Sequence, residues 1–313
     1  MSKAYILNEA GSAEQLQLVN IDKPIVGANE ILVKTVALSI NPVDVKTRSG
    51  KAFYSKLKTE EPLILGWDIS GVIESIGKDV SNFKVGDEVF AMVNFPGHGN
   101  AYAEYVKAPA NQFALKPKNS SHEEAAAATL AALTAYQFLN NRVKSGDKVL
   151  IHAASGGVGH FAVQIAKIFG ASVTGTTSER NIDFVKSLGA DEVIDYTKQP
   201  FETVAKDFDF VLDALSGETL QRSIQTVRNG GTIITMPSGA DLDAVIAEAG
   251  KRDIKLFNQL VQSNGEDMKQ IAAWLESGQL KPEVSKIFDF SEMAKAHQEV
   301  ETGRTRGKIV VRM

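Results

Sequence analysis

The run Ala154-Ser155-Gly156-Gly157-Val158-Gly159 is the part of this chain whose residue types and spacing most directly imply chemistry. It follows a strand-like segment, Lys148-Val-Leu-Ile-His-Ala-Ala154. It opens a stretch over 157–170 with apolar Val158, Phe161, Ala162, Ile165, Ile168 and Phe169 at helical spacing. A turn in that context can seat the pyrophosphate of a dinucleotide, because the N–H groups and dipole of a helix N-terminus favour negative charge. Gly156 lets the backbone approach the phosphates, and Gly159 lets helix and strand pack closely. The first glycine of the usual G-x-G-x-x-G spacing is Ala154 here. A tight turn without a ligand is the bland alternative, and five further strand candidates downstream oppose it.

Cofactor choice is read about 20 residues on, where an acid at the tip of the second strand would hold the ribose hydroxyls of NAD. The tip reads Thr176-Thr177-Ser178-Glu179-Arg180. Ser178 stands where the acid is expected, Arg180 can meet a 2′-phosphate, and Tyr196 at the tip of the third strand can form a wall. The expectation is NADP(H). Two features pull the other way: Glu179 is one position out of place, and Ser178 also suits the N-cap of the next helix.

These groups need a frame, and length and composition bound it. At roughly 150 residues per domain, 313 residues suggest two domains. With no cysteine, disulfides, thiolate nucleophiles, Cys-ligated zinc and iron–sulfur clusters are excluded. The 34 Lys and Arg against 38 Asp and Glu, without a dense basic tract, carry no footprint for nucleic acid or an anionic membrane. No signal-peptide pattern opens the sequence and no apolar run is long enough to span a bilayer, so a cytoplasmic, soluble protein is expected.

Residues 1 to about 119 read as short strands broken by Asn-Pro, Ser-Gly, Gly-Asp and Pro-Gly turns, an antiparallel β domain. Ser121-His-Glu-Glu124 is a capping-box pattern that opens a buried, Ala-rich helix running through 125–139. From Lys148 strands and helices alternate, with strand candidates at 148–154, 172–177, 192–196, 208–213, 231–236 and 254–260. Six strands with helices between them make a parallel, doubly wound sheet. Helices near 266–277 and 291–302 and a closing strand, 307–312, end the chain. The sixth strand would be an apolar sheet edge, for which pairing into a homodimer is expected.

Gly66-Trp-Asp-Ile-Ser-Gly71-Val-Ile-Glu-Ser-Ile-Gly77, followed by Gly86-Asp87-Glu-Val89, resembles the medium-chain dehydrogenase/reductase signature G-H-E-x-x-G-x-V with its following G-D-x-V. The glycine turn and the ending Gly307-Lys-Ile-Val-Val resemble the zinc-free quinone oxidoreductase branch, which includes ζ-crystallin-like enzymes. The resemblance covers essentially the whole chain in order. It implies an α/β protein with a GroES-like antiparallel β domain over 1–122 and 263–313, and a six-stranded Rossmann domain over 123–262. At the positions where zinc-dependent members hold the catalytic metal, the resemblance places Asn41, Trp67 and Leu130, and amide, indole and aliphatic groups do not replace thiolate and imidazole. The histidines His98, His122, His152, His160 and His297 lack ligand spacing, so no metal site is expected.

Without a Lewis acid the feasible direction is reduction: hydride adds to a quinone, or to the β-carbon of an enone, while hydrogen-bond donors stabilise the developing oxyanion. The resemblance therefore implies NADPH-dependent reduction of quinones, with an enone or alkenal double-bond reductase as the alternative. A non-catalytic NADPH-binding module is the competing reading from another class. Asn41 is the first candidate donor to the substrate oxygen, although Asn before Pro also shapes loops. Asp44 is expected to orient its neighbours or simply to cap, and Tyr54 to wall the pocket or donate its hydroxyl, with a packed surface aromatic as the equal alternative. Thr134 matches a position that contacts the nicotinamide in the family, and Met236 and Ser238, after the fifth strand, would lie near the nicotinamide ribose. Trp67 would either narrow the pocket or belong to the core.

Overall fold

The computed structural model describes residues 1–236 and 242–313. The chain forms two compact units, 1–133 with 262–313, and 134–261. The boundary after strand and turn sequence was expected at residue 122. It falls eleven residues later because the helix His122–Ala127 packs on the first unit, its methyl-sized Ala126 and Ala127 lying against Ala37 and Val310. The capping box that starts this helix is formed at both ends: Ser121 Oγ accepts from the Glu124 N–H at 3.1 Å, and Glu124 accepts from the Ser121 N–H at 2.8 Å.

The single helix expected through 139 is two helices, His122–Ala127 and Leu130–Leu139. The break has a local cause. The Leu130 N–H donates at 2.9 Å to the buried carboxylate of Asp68, and Thr129 Oγ1 donates at 2.8 Å to the Ala126 carbonyl. Helical hydrogen bonding is thus replaced by a tertiary and a side-chain bond at the junction.

In the second unit six parallel strands form the expected doubly wound sheet: Lys148–Ile151, Ser172–Thr177, Glu192–Asp195, Phe208–Asp213, Val227–Thr235 and Lys255–Asn258. Their spatial order is third, second, first, fourth, fifth, sixth. The direction of winding reverses beside the first strand, and in such sheets ligands bind at the carboxyl ends next to that reversal. Leu150, Val211 and Ile233 from adjacent strands and Leu220 and Phe201 from covering helices share one core, which explains the apolar runs 149–151 and 210–212 of the central strands.

The first unit is built around the strand Glu30–Ile40, which pairs antiparallel with Asp68–Ile76, Tyr105–Pro109 and Lys308–Arg312. The closing strand therefore returns to the first unit, opposite residues 37–40. The sheet is not wholly antiparallel: Val284–Asp289 lies parallel to Lys308–Arg312, joined through the helix Met293–Glu301. Ser2–Leu7 and Leu16–Ile21 form a separate antiparallel pair. No helix among the described residues is long and apolar enough to cross a membrane.

Removing the cap tests the local account. Ser121→Ala is expected to lower stability by about 1 kcal/mol, with Ser121→Asp close to the parent. A lower urea midpoint at unchanged slope is the expected readout, and no change in midpoint would refute the role of the box.

Candidate active site

The glycine turn of the second unit is held in shape by sterics and by three side chains. A Cβ added to Gly159 would lie 2.1 Å from the Ala153 carbonyl oxygen, and one on Gly156 would lie 3.2 Å from the same atom, so the first position admits no side chain and the second is crowded. Ala153 itself is left-handed at φ 50°. The helix starts at Gly159 and runs to Ile168, later than the expected 157, so that Gly157 and Val158 belong to the turn. Ala154 takes the place of the usual first glycine because room is made opposite: on the neighbouring strand, a Cβ at Gly175 would come within 2.8 Å of the Ala154 methyl. Ser155 Oγ meets Thr177 Oγ1 at 2.9 Å and accepts from Asn181 Nδ2 at 3.2 Å, which pins the turn to the tip of the second strand.

At that tip Ser178 is extended and half-buried, and it holds the N-cap position of the turn 179–181 with its backbone carbonyl but without a side-chain capping bond. Glu179 is exposed and forms an ion pair with Lys198, while Arg180 is exposed on the same turn. Tyr196 is 55% exposed, and its N–H donates at 3.2 Å to the Thr177 carbonyl, tying the third strand's tip to the second's. Thr134 is buried on the helix Leu130–Leu139. Met236 is half-buried, its N–H donating to the Asp213 carbonyl at 3.1 Å. Ser238 lies outside the described residues.

In the first unit Asn41 ends the central strand and begins the helix Pro42–Arg48, whose Pro suits a first turn that needs no N–H donor there. Its side chain is spanned by two charged groups. Nδ2 donates to Asp68 Oδ2 at 2.7 Å, and Oδ1 accepts from Lys308 Nζ at 2.5 Å. Asp68 also accepts from Ser39 Oγ at 2.6 Å and from the Leu130 N–H, and stands 3.7 Å from Lys308 Nζ. The Lys308 ammonium donates further to the Ile40 carbonyl at 3.2 Å. Asn41 is 2% exposed, Lys308 3% and Asp68 not at all. One hydrogen of the Asn41 amide is thus given to Asp68, and the amide plane is locked by a cation at its oxygen.

Asp44 Oδ2 accepts from the Asn41 N–H at 2.6 Å, the capping bond of the helix Pro42–Arg48. Full burial pushes its carboxyl up to about 8, with the Asp68 charge adding to the rise, so the neutral acid persists at pH 7. Burial pulls Lys308 below the usual ammonium range, against the pull of Asp68 and Asp44. Tyr102, beside Asp44, meets His297 Nε2 at 2.8 Å, and burial brings His297 down to about 3 and keeps it neutral. Tyr54 stands apart: its hydroxyl oxygen accepts from the Ala10 N–H at 3.2 Å, and no hydrogen bond joins it to the Asn41 cluster. Trp67 is core, wholly buried, with Nε1 donating to the Gly97 carbonyl at 2.8 Å and its ring edge-on to Phe95 at 5.1 Å.

Residues 27–118 match the family model of the alcohol dehydrogenase GroES-like domain, and 188–311 that of a zinc-binding dehydrogenase. The chain is 36% identical to a 2-methylene-furan-3-one reductase of Solanum lycopersicum over 99% of its own length and 78% of that protein. It is 34% identical to an NADPH-dependent alkenal/one oxidoreductase, chloroplastic, of Arabidopsis thaliana over 99% and 79%. Its structure superimposes on that of the quinone oxidoreductase from Coxiella burnetii with a TM-score of 0.94, at 38% identity, covering 100% of this chain and 99% of that one. The chain belongs to the quinone oxidoreductase branch of the medium-chain dehydrogenase/reductases, and is an oxidoreductase of that family.

One matched family model is named for zinc, and the residues here do not fit that ion. Asn41 stands where the family's resemblance puts a cysteine, its amide oxygen already holds an ammonium, and Trp67 and Leu130 offer no ligand atom. A divalent cation brought beside Lys308 would face a like charge in a dry interior. Among the described residues, no group of three His, Asp or Glu side chains could hold a metal. The medium-chain oxidoreductase instead gathers a polar cluster that motif reading missed in part. Asp68 is the third residue of Gly66-Trp-Asp and Lys308 the second of Gly307-Lys-Ile-Val-Val, so both were inside quoted motifs. Their meeting depends on pairing across 240 residues, which no local signal carries.

Asp44 gives this cluster a pH signature with a definite sign. The unfolded carboxyl ionises near 3.8 and the folded one near 8, so the residue's contribution to stability is full below about 4 and is lost as pH rises toward about 8. Asp44→Asn keeps an acceptor for the Asn41 N–H and cannot ionise. Its Tm relative to the parent should rise steadily between pH 5 and 8, as the parent alone loses this contribution. A Tm difference that does not move with pH would contradict the burial argument.

Proposed function

We propose that this chain binds NADP(H) and uses it to reduce the conjugated carbonyl of a small quinone or enone, without a metal. The bound dinucleotide supplies the hydride. The turn 155–159 would carry the pyrophosphate, and Ser178, Arg180 and Tyr196 the phosphorylated ribose. Thr134, Met236 and Ser238 are assigned to the nicotinamide side. A quinone, a hydride and a proton give the hydroquinone, and an enone with the same additions gives the saturated ketone, so the balance needs one proton from solvent.

The observation that carries the reading is the Asn41 amide held between Asp68 and Lys308. The ammonium on Oδ1 draws electron density from the amide and makes its remaining N–H a stronger donor, and the fixed plane spares reorganisation as charge develops on the substrate oxygen. Quinone is placed first because of the Coxiella structure and the branch, and the alkenal/one reductase from Arabidopsis supports the enone alternative. The outer strand Lys255–Asn258 of the parallel sheet is the edge proposed to pair two copies into a homodimer.

Steady-state NADPH oxidation with a panel of small quinones and alkenals tests the function. Turnover is expected with at least one class, and Asn41→Ala should lower kcat by about 10²–10³-fold with a smaller change in KM. NADPH binding with no oxidation across the panel would overturn the enzymatic reading in favour of a binding module.

A further inference from the structure

At the tips of the second and third strands, one ion pair lies where the phosphate that distinguishes the two dinucleotides is read. The parallel register sets Asp195 beside Thr177, so residues 178–180 and 196–199 leave the sheet side by side although nearly 20 positions apart. The second of these turns is tightly built. Asp195 Oδ1 accepts from the Thr197 N–H at 2.9 Å and from Thr197 Oγ1 at 2.7 Å, and the Asp195 carbonyl accepts from the Lys198 N–H at 3.2 Å and the Gln199 N–H at 3.3 Å. The Tyr196 bond to Thr177 anchors it to the first. The Lys198 backbone is therefore held at the tip, and its side chain reaches Glu179, with Nζ 4.0 Å from Asp195 Oδ2.

We propose that Lys198 is a second cation for the 2′-phosphate, beside Arg180, and that Glu179, by pairing with Lys198, sets how strongly NADPH is preferred over NADH. The proposal rests on the NADP(H) reading above and adds to it the residues that grade the preference. Both partners are mostly exposed, 60% and 68% at the side chain, so the pair is worth little in water and yields readily to a better anion. A phosphate monoester carries close to two charges and three acceptor oxygens, and an ammonium can bond one of them at modest cost. With Glu179 in place, a phosphate that takes Lys198 has to displace a carboxylate from it. Removing the Glu179 charge spares the phosphate that competition. NADH, with a hydroxyl at that position, gains nothing from the cation and can donate to the Glu179 carboxylate.

Direct binding to the full-length chain decides this, by titration calorimetry with NADPH, NADH, 2′,5′-ADP and 5′-AMP at one fixed ionic strength. Lys198→Gln is expected to weaken NADPH and 2′,5′-ADP by about tenfold and to leave NADH and 5′-AMP within about twofold, with Lys198→Arg close to the parent. Glu179→Gln should tighten NADPH and 2′,5′-ADP by roughly three- to tenfold while NADH weakens or holds, and this gain should shrink in the Glu179→Gln/Lys198→Gln double variant. If the parent binds 2′,5′-ADP better than 5′-AMP but neither substitution changes that ratio, the inference fails and the NADP(H) reading stands. If the parent shows no preference for 2′,5′-ADP, the NADP(H) reading itself fails and takes the inference with it.

Discussion

A carboxylate shut away from water has to find its donors inside the fold, and the way Asp68 does so shapes the whole first unit. Ser39 and Asn41 reach it from the central strand and the turn that follows, Leu130 from a helix start, and Lys308 from the closing strand. An unpaired buried charge costs far more than any one of these bonds returns, so the four groups are held together by what their separation would cost. The break between the helices His122–Ala127 and Leu130–Leu139 follows from the same demand, since the Leu130 N–H is spent on Asp68. So does the return of the closing strand, which brings the Lys308 ammonium to Asn41 and within 3.7 Å of Asp68.

The glycine turn shows a different kind of constraint, one of volume. Ala154 in place of a glycine would be crowded against its neighbouring strand, and the crowding is relieved because residue 175 has no side chain. The close approach that the motif needs is kept by moving a glycine across the sheet rather than along the chain. Motif matching along one segment sees the departure; the sheet register shows its compensation.

Burial also sets protonation in both units. Asp44, the neutral acid, and His152 and His297, the neutral bases, are all driven the same way, toward the uncharged form. His152, brought down to about 4, uses its two nitrogens between Thr176 and Ser223 and serves the sheet rather than a ligand. Ion pairs stand both inside and outside, Asp68 with Lys308 in the buried cluster and Glu179 with Lys198 at the strand tips.

The sequence alone determined what depends on neighbours in the chain: the alternation of strand and helix that makes six parallel strands, the glycine turn between the first strand and its helix, and the capping box at Ser121. Apolar periodicity and turn chemistry act over a few residues, and a sequence displays them directly. It singled out Asn41 and Asp44 in one turn but not the partners, Asp68 and Lys308, that the turn meets. Tertiary structure decided that Asn41 lies between Asp68 and Lys308, that Tyr54 and Trp67 stand outside that cluster, and that Lys198 meets Glu179. Those contacts join residues 19 to 267 positions apart, and they exist only because strand register sets which backbones lie side by side, a choice made by the packing of the whole sheet and written in no single segment.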